Sequence, residues 1–483
     1  MSAFEPTQEQ RLIASHQFSP GEILKIVAYA GTGKTTTLEY LARTIEERNP
    51  TQTILYLAFN KSVAAEAKQR FPTNVEARTI HSVAYKNIAG PYRHKLEGDL
   101  RARLIAQKWG SSDLSGIKAG CDTVRKFFSC EDQKINSTHV PEDYEGTKRG
   151  AIEWAERLWD SMTDPDDESV PMIHDGYLKL FHLENPELGF DYIFLDEAQD
   201  SNPVTTDIVM GQKNAVKVLV GDPHQQIYSW RGAKNAMKSI KGTSTQYLTG
   251  SFRFGQQVAS IANLLLLYYK KEDKGVRGLR KTGEVGLINS SKPYTILGRT
   301  NSAIFEEALS LHQAGIKIAV VGGEDGLKAN QLKDAFRLLT KQNNYIRDEY
   351  MKTFDSFETL ENYGKEYEDP EAKSLCRTIR KNSEGFNVLL EDLLESLVEE
   401  DEAHVILSTA HKAKGLEWDQ VKLLDDFVDF FNEQGELLHP HYHEPDEINL
   451  MYVAVTRAQK VLQINETLKN AVFKIRESIK AAS

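Results

Sequence analysis

Residues 28–35 read AYAGTGKT, and this stretch decides the fold. An apolar run, ILKIVA (23–28), leads into it, and a helix-forming segment (36–45) follows. Strand, glycine-rich turn and helix in that order make a phosphate-binding loop. Ala30, Gly31, Thr32 and Gly33 supply a backbone that curls so that several N–H groups face one phosphate. The helix N-terminus adds its positive end. Lys34 would then reach the β- and γ-phosphates, and the Thr35 hydroxyl would ligate Mg²⁺. Ala28 stands where the usual pattern has its first glycine, and it is small enough to leave the turn possible. The loop implies nucleotide binding. What the nucleotide is for must be read elsewhere.

A chain of 483 residues has room for roughly two to four domains. Its longest apolar run, LLLLYY (264–269), is far too short to span a bilayer, so no membrane contact is expected. The opening MSAFEPTQEQ lacks a basic-then-apolar leader pattern. Cys121, Cys130 and Cys376 have no metal-ligand spacing and read as reduced thiols of an intracellular protein. A net charge of −11 excludes an all-over basic coat but leaves room for a local basic groove.

Upstream of the loop, TQEQRLIA (7–14) reads as a helix capped by Thr7, with Gln10 on its first turn. Gln10 has both a donor and an acceptor with which to pair adenine. Downstream, TILYLAF (53–59) and the run 74–79 are expected strands, followed by Asn60 and by His81. Ligand contacts in parallel α/β sheets come from the carboxyl ends of strands. An aromatic such as Phe59 among small polar and basic residues suits base stacking with phosphate contact. Residues 85–171 turn helical and read as an insertion. DYIFLDEAQD (191–200) is a buried strand with Asp196 and Glu197 at its tip, placed to hold Mg²⁺ and to activate the attacking water. VKVLVGDPHQQIYSWRGA (216–233) is a strand followed by Gln225, suited to sense the γ-phosphate. Tyr228, Trp230 and Arg231 follow at once, suited to stack on bases and meet phosphates.

A second α/β layer then begins, with strands expected at 247–253, 294–301, 318–322, 405–410 and 420–424, and without a second phosphate loop. Residues 328–400 are helical and polar, and the leucines at 389, 390, 393, 394 and 397 read as a packing stripe. STAHKAKGLEWD (408–419) gathers His411, Lys414 and Glu417 around a glycine. EINLMYVAVTRA (447–458) delivers Arg457, and neither Arg253 nor Arg457 has an acidic partner nearby in sequence.

Together, AYAGTGKT, LAFNKSVAAEA, TIHS, FLDEAQD, VGDPHQQIYSWRGA, SFR, LGRTN, TAHKAKGLEWD and NLMYVAVTRA resemble, in order from 28 to 458, the blocks of UvrD/Rep/PcrA-type superfamily 1 DNA helicases. HDGYLKLF, LAFNKS and NLMYVAVTRA are most similar to the F-box DNA helicase branch. No F-box is expected ahead of the motor, because the chain opens at the glutamine motif, and ubiquitin-ligase roles are not carried over.

The resemblance implies an α/β fold of two RecA-like P-loop motor domains, each with a mostly helical insertion. The first motor is expected at 1–84 and 172–245 with its insertion at 85–171. The second is expected at 246–327 and 401–483 with a short insertion at 328–400. The implied activity is that of an ATP-dependent 3′-to-5′ single-stranded DNA translocase and helicase, a DNA-stimulated ATPase unwinding tailed duplexes in repair, recombination or replication. A translocase that strips proteins from single strands without productive unwinding is the alternative. ATP and Mg²⁺ are the implied cofactors. Single-stranded DNA and junctions with a 3′ tail are the implied partners, with a recombinase or single-strand-binding protein as candidate protein partners, in the cytoplasm and nucleoid or in a nucleus.

By motif position, Gln10 reads adenine, Lys34 and Thr35 the phosphates and Mg²⁺, Asp196 holds Mg²⁺, Glu197 is the base and Gln225 the sensor. Arg253 and Arg457 are fingers from the second motor, and Glu417 contacts ribose. DNA crosses Phe59, Asn60, His81, Tyr228, Trp230, Arg231, Arg299, His411 and Lys414. The chain departs from the family in having Thr36 where an arginine often covers adenine, and Phe252 where a tyrosine does. Both changes are expected to loosen base selectivity.

Overall fold

The structure, a computed structural model, describes residues 5–228, 234–382 and 385–482. The chain divides into two compact α/β units, Met1–Leu248 and Thr249–Ser483.

In the first unit, helix α1 (Gln8–Ala14) precedes strand β1 (Ile23–Ala28), helix α2 (Lys34–Arg48), β2 (Ile54–Leu57), α3 (Lys61–Arg70), β3 (Val75–Arg78) and α4 (Ile80–Ile88). A helical excursion follows: α5 (Ala102–Trp109), α6 (Leu114–Phe128) and α7 (Lys148–Thr163), flanked by the two-residue parallel strands β4 (Leu96–Glu97) and β5 (Met172–Ile173). Helix α8 (His174–Leu183) leads back to β6 (Tyr192–Leu195), β7 (Val216–Gly221) and β8 (Ser244–Leu248). The six-stranded sheet runs β3-β2-β6-β7-β1-β8 with every pairing parallel.

Both faces of a parallel sheet are covered, so its central strands are apolar throughout and alternate sides residue by residue. Ile54, Tyr56, Phe194, Val218 and Val220 pack with Leu38, Leu41 and Ile45 of α2. Leu55, Leu57, Ile193, Leu195 and Leu219 pack instead with Ile117, Val124, Tyr177 and Leu178 of the helical excursion and α8. The excursion is thus the cover of one sheet face.

Within it, Cys130 Sγ lies 3.1 Å from His139 Nε2, which lies 3.0 Å from Asp132 Oδ2. These three groups sit close enough to suggest metal ligands, although their spacing gave no such sign. His139 Nδ1, however, accepts the Asn136 backbone N–H at 3.1 Å. The ring proton therefore sits on Nε2, facing Asp132 and Cys130, and the group closes as a hydrogen-bonded brace. Lys179 Nζ completes it by donating to the carbonyls of Cys130 and Asp132 at 2.8 and 2.6 Å.

The second unit opens with β9 (Gly250–Gly255) and β10 (Arg277–Arg280), a two-stranded parallel pair. Strands β11 (Glu284–Val285), β12 (Tyr294–Gly298), β13 (Ile318–Val320), β14 (Val405–Thr409), β15 (Trp418–Leu423) and β16 (Ala458–Gln463) form a parallel sheet ordered β11-β16-β15-β12-β14-β13. Short helices between β13 and β14 include Ala329–Leu339, Phe357–Glu366, Pro370–Lys381 and Phe386–Glu395. Leu390 and Leu393 of the leucine stripe are fully buried, as packing residues should be.

One sequence expectation fails here. The stretch 247–253 is not a single strand of the second layer. It breaks at Thr249, where its first half closes the first sheet as β8 and its second half begins β9. Strands β10, β11 and β16 were not foreseen, because they are short or carry charged and polar residues rather than an apolar run. Among the described residues, no helix is long and apolar enough to cross a membrane.

Candidate nucleotide site and nucleic-acid surface

The loop between β1 and α2 turns through Gly31 (φ +72°) and Gly33 (φ +79°), left-handed positions that glycine takes without strain. Thr32 is buried, and its hydroxyl donates to the Tyr29 carbonyl at 2.7 Å, fixing the curl. Ala30 is buried beside it, and Lys34 and Thr35 open α2.

Register brings the other groups to this end of the sheet. Val27 pairs with Gly221, and Leu57 with Leu195, so the residues that follow β7 and β6 flank the loop. Lys34 Nζ forms an ion pair of 2.6 Å with Glu197 Oε1. Burial alone would pull the lysine's pKa down, but Glu197, Asp196 and Asp222 outweigh it and hold the ammonium above its ordinary value. Burial and the neighbouring Glu197 push the Asp196 carboxyl up, against Lys34 and the Tyr56 hydroxyl, which donates to Asp196 Oδ2 at 2.5 Å.

Glu197 itself sits at φ +48°, an uncommon conformation for a residue with a side chain. Gln199 Nε2 grips its other oxygen at 2.5 Å, and Gln199 Oε1 accepts the Asp222 backbone N–H at 3.1 Å. Gln225, 5 % exposed, donates from Nε2 to Asp222 Oδ2 at 2.7 Å. One network therefore joins Lys34, Glu197, Gln199, Asp222 and Gln225, and reaches Tyr56 through Asp196, whose Oδ1 accepts the Glu197 N–H at 2.9 Å. Its Tyr56, Gln199 and Asp222 members were missed in the sequence. Tyr56 reads there as an ordinary core residue of an apolar strand, and only the β2–β6 register sets it against Asp196.

Gln10 is 1 % exposed. Its Oε1 accepts the Thr7 N–H at 2.9 Å in a capping box, and its Nε2 donates to Thr37 Oγ1 at 3.1 Å. Adenine would meet an amide already anchored at both ends. Thr36 is bridged by Arg70, whose Nη2 lies 3.3 Å from its hydroxyl and 3.2 Å from Glu39.

Beyond the loop, Phe59 is 45 % exposed and stacks on Tyr228, ring centroids 5.9 Å apart and planes 17° from parallel. Asn60 caps α3, its Oδ1 accepting the Val63 N–H at 2.9 Å. His81 stands near the start of α4 with Nε2 3.1 Å from Asp175 Oδ1. Trp230 and Arg231 lie outside the described residues.

In the second unit Arg253, which has no acidic neighbour in sequence, finds one in the fold. Its Nε donates to Glu417 Oε2 at 2.5 Å, a pairing made by residues 164 apart in sequence. Gln459 Nε2 holds the other Glu417 oxygen at 2.6 Å. Burial would raise the Glu417 pKa, but Arg253 and Gln459 hold it below the usual carboxylate value. Arg457 is 1 % exposed, and its guanidinium donates to the carbonyls of Val453 and Leu416 at 2.9 and 3.1 Å. Phe252 is exposed on β9. Arg299, expected on DNA, is paired in this structure: its Nε and Nη2 grip Glu447 at 2.6–3.0 Å. His411 and Lys414 lie on the turn after β14, half-buried, with Gly415 at φ +88°.

A parallel sheet with a phosphate loop after a central strand, and a lysine–carboxylate network on the neighbouring strand tips, defines the first unit as a P-loop nucleotide-binding α/β domain. Residues 10–231 match the family model described as AAA domain, and residues 340–469 match that of the UvrD-like helicase C-terminal domain. The chain is 34 % identical to F-box DNA helicase 1 of Gallus gallus, over 97 % of this chain and 50 % of that protein. It is 32 % identical to F-box DNA helicase protein 1 of Schizosaccharomyces pombe, over 96 % and 57 %. It is 25 % identical to ATP-dependent DNA helicase UvrD2 of Mycobacterium tuberculosis, over 92 % and 77 %. The resemblance to UvrD-type superfamily 1 helicases is borne out across both units, the F-box DNA helicases are among its relatives, and the two units are RecA-like. The chain spans about half the length of the two F-box relatives.

Proposed function

We propose that this chain is an ATP-dependent DNA helicase that moves 3′-to-5′ along single-stranded DNA. The observation that carries the reading is the short segment after β7. Within four residues it holds Gln225, tied to the nucleotide-site network through Asp222, and Tyr228, stacked on the exposed Phe59. A change at the phosphates therefore has a short covalent path to a base-stacking surface.

Lys34 is the phosphate ligand and Glu197 the base. Phosphate binding exchanges the partner of Lys34 from Glu197 to phosphate oxygens, which leaves the carboxylate to take a proton from the attacking water. Thr35 and Asp196 offer the hard oxygen donors that suit Mg²⁺. That ion, when bound, would neutralise charge on the phosphates. Arg253 and Arg457 are the candidate cations contributed by the second unit. Glu417, set by Arg253 and Gln459, is the candidate ribose contact, and the exposed Phe252 is the candidate ring for the base. His411 and Lys414 are the second unit's candidate DNA contacts. The proposed setting is DNA-associated and intracellular.

Strand displacement on duplexes with a 3′ or a 5′ tail tests this directly. ATP-dependent unwinding of the 3′-tailed substrate alone supports the reading, and preference for the 5′ tail overturns the polarity. Protein displacement without strand separation would assign the chain to the protein-stripping translocases instead.

A further inference from the structure

The motif HDGYLKLF (174–181) enters the site described so far only through Asp175, the partner of His81. In the structure it forms α8, packed against α4, and the contact is built on the ring of Tyr177, which is 2 % exposed. Three rings meet it edge-on: His81 at 6.2 Å, Tyr85 at 5.9 Å and His174 at 5.6 Å, with interplanar angles of 76–89°. The Tyr177 hydroxyl lies 3.0 Å from His174 Nδ1, so the hub is held at both its ring and its tip.

His81 and Tyr85 are four residues apart on α4 and so share a face one helical turn apart. Tyr85 keeps 36 % of its surface exposed, and the Arg93 guanidinium stands over its ring at 5.8 Å from the centroid. Leu57 and Arg78 are register partners, so the Phe59 turn and the start of α4 leave the sheet edge side by side. Phe59, His81, Tyr85 and Arg93 thus form a sequence of ring, imidazole, ring and guanidinium leading from the nucleotide end of the sheet onto the helical excursion. Asp175, the carboxylate on this strip, faces His81 Nε2 at 3.1 Å.

We propose that Tyr85 and Arg93 form a further single-stranded DNA subsite, the ring stacking a base and the guanidinium meeting the adjoining phosphate. It extends the strand path of the proposed function beyond Phe59 and rests on that reading. An aromatic braced from behind by a buried hub loses little freedom on stacking, and an arginine beside it supplies the charge that a phosphodiester needs.

The test is fluorescence anisotropy with labelled oligo-dT of increasing length, using the full chain without nucleotide. Tyr85→Leu keeps the apolar bulk and removes the ring face; Tyr85→Phe keeps the face. The expected result is about tenfold weaker binding of long oligomers by Tyr85→Leu, with Tyr85→Phe near wild type. The length at which affinity stops rising should shorten by about one nucleotide for the leucine variant. Arg93→Ala, an exposed change that removes only the guanidinium over the Tyr85 ring, should lower the slope of log affinity against log salt by about one. Wild-type affinity at every length in Tyr85→Leu, or an unchanged salt slope in Arg93→Ala, overturns the subsite while leaving DNA binding intact. Failure of the wild type to bind any oligomer overturns the DNA reading itself.

Discussion

Glu197→Gln separates the two tasks assigned to this carboxylate. In the structure Glu197 holds Lys34 at 2.6 Å on one oxygen and is held by Gln199 at 2.5 Å on the other. At an effective dielectric of about 20, the ion pair carries a Coulomb energy of about 6 kcal/mol. The two side chains are 15 % and 23 % exposed, so solvent screening and desolvation remove most of it. A net of about 1–2 kcal/mol remains. Nucleotide binding must overcome that net, because phosphate oxygens compete with Glu197 for the ammonium. The glutamine keeps the shape and can turn its oxygen to Gln199, which places its NH₂ toward Lys34 and frees the lysine. ATP affinity, read by titration of a fluorescent ATP analogue, should tighten about 5- to 30-fold. Turnover should fall about 100-fold or more through loss of the base. A variant that binds ATP more weakly while melting at the wild-type temperature would refute the exchange of partners. One that turns over at the wild-type rate would refute the base.

Other consequences are equally direct. Gly221→Ala places a Cβ 2.2 Å from Gln199 Oε1, so the amide must leave its position and release Glu197. A destabilisation of about 1–3 kcal/mol, read by chemical denaturation, should accompany a loss of turnover. Phe59→Ala removes the partner of Tyr228 and should weaken single-strand affinity about tenfold in an anisotropy titration. Burial lowers the pKa of both His139 and His182 from 6.5, against the pull of Asp132 and Asp207. The folded protein thus keeps these rings neutral, while the unfolded chain takes up protons below about 6.5. Stability is full above that pH and lost as pH falls through it. Melting temperature should drop between pH 7.5 and 5.5, and Asp132→Asn, which removes the opposing charge, should steepen the drop.

Much of this protein is legible in its sequence because parallel sheets write themselves as apolar runs. The runs at 23–28, 191–195 and 216–220 became β1, β6 and β7, with AYAGTGKT and DEAQD at their ends. Less legible was anything decided by register or by distance along the chain. Tyr56 looks like core until β2 lies against β6, and Arg253 looks unpartnered until the second unit brings Glu417 to it. Arg299 is a like case: its place in LGRTN suggests DNA, and only the fold sets Glu447 against the Nε and Nη2 edge of its guanidinium. The strand boundary at Thr249 falls in the small, polar run Thr249, Gly250 and Ser251, a mark too short to tell two sheets from one continuous strand.

The most direct test of the central claim is ATP hydrolysis by the purified chain with and without single-stranded DNA, set beside Lys34→Ala. Hydrolysis that rises on adding the strand, and is lost in the variant at every DNA concentration, is the expected result. A wild-type rate indifferent to DNA, or a stimulated rate that survives Lys34→Ala, would contradict it.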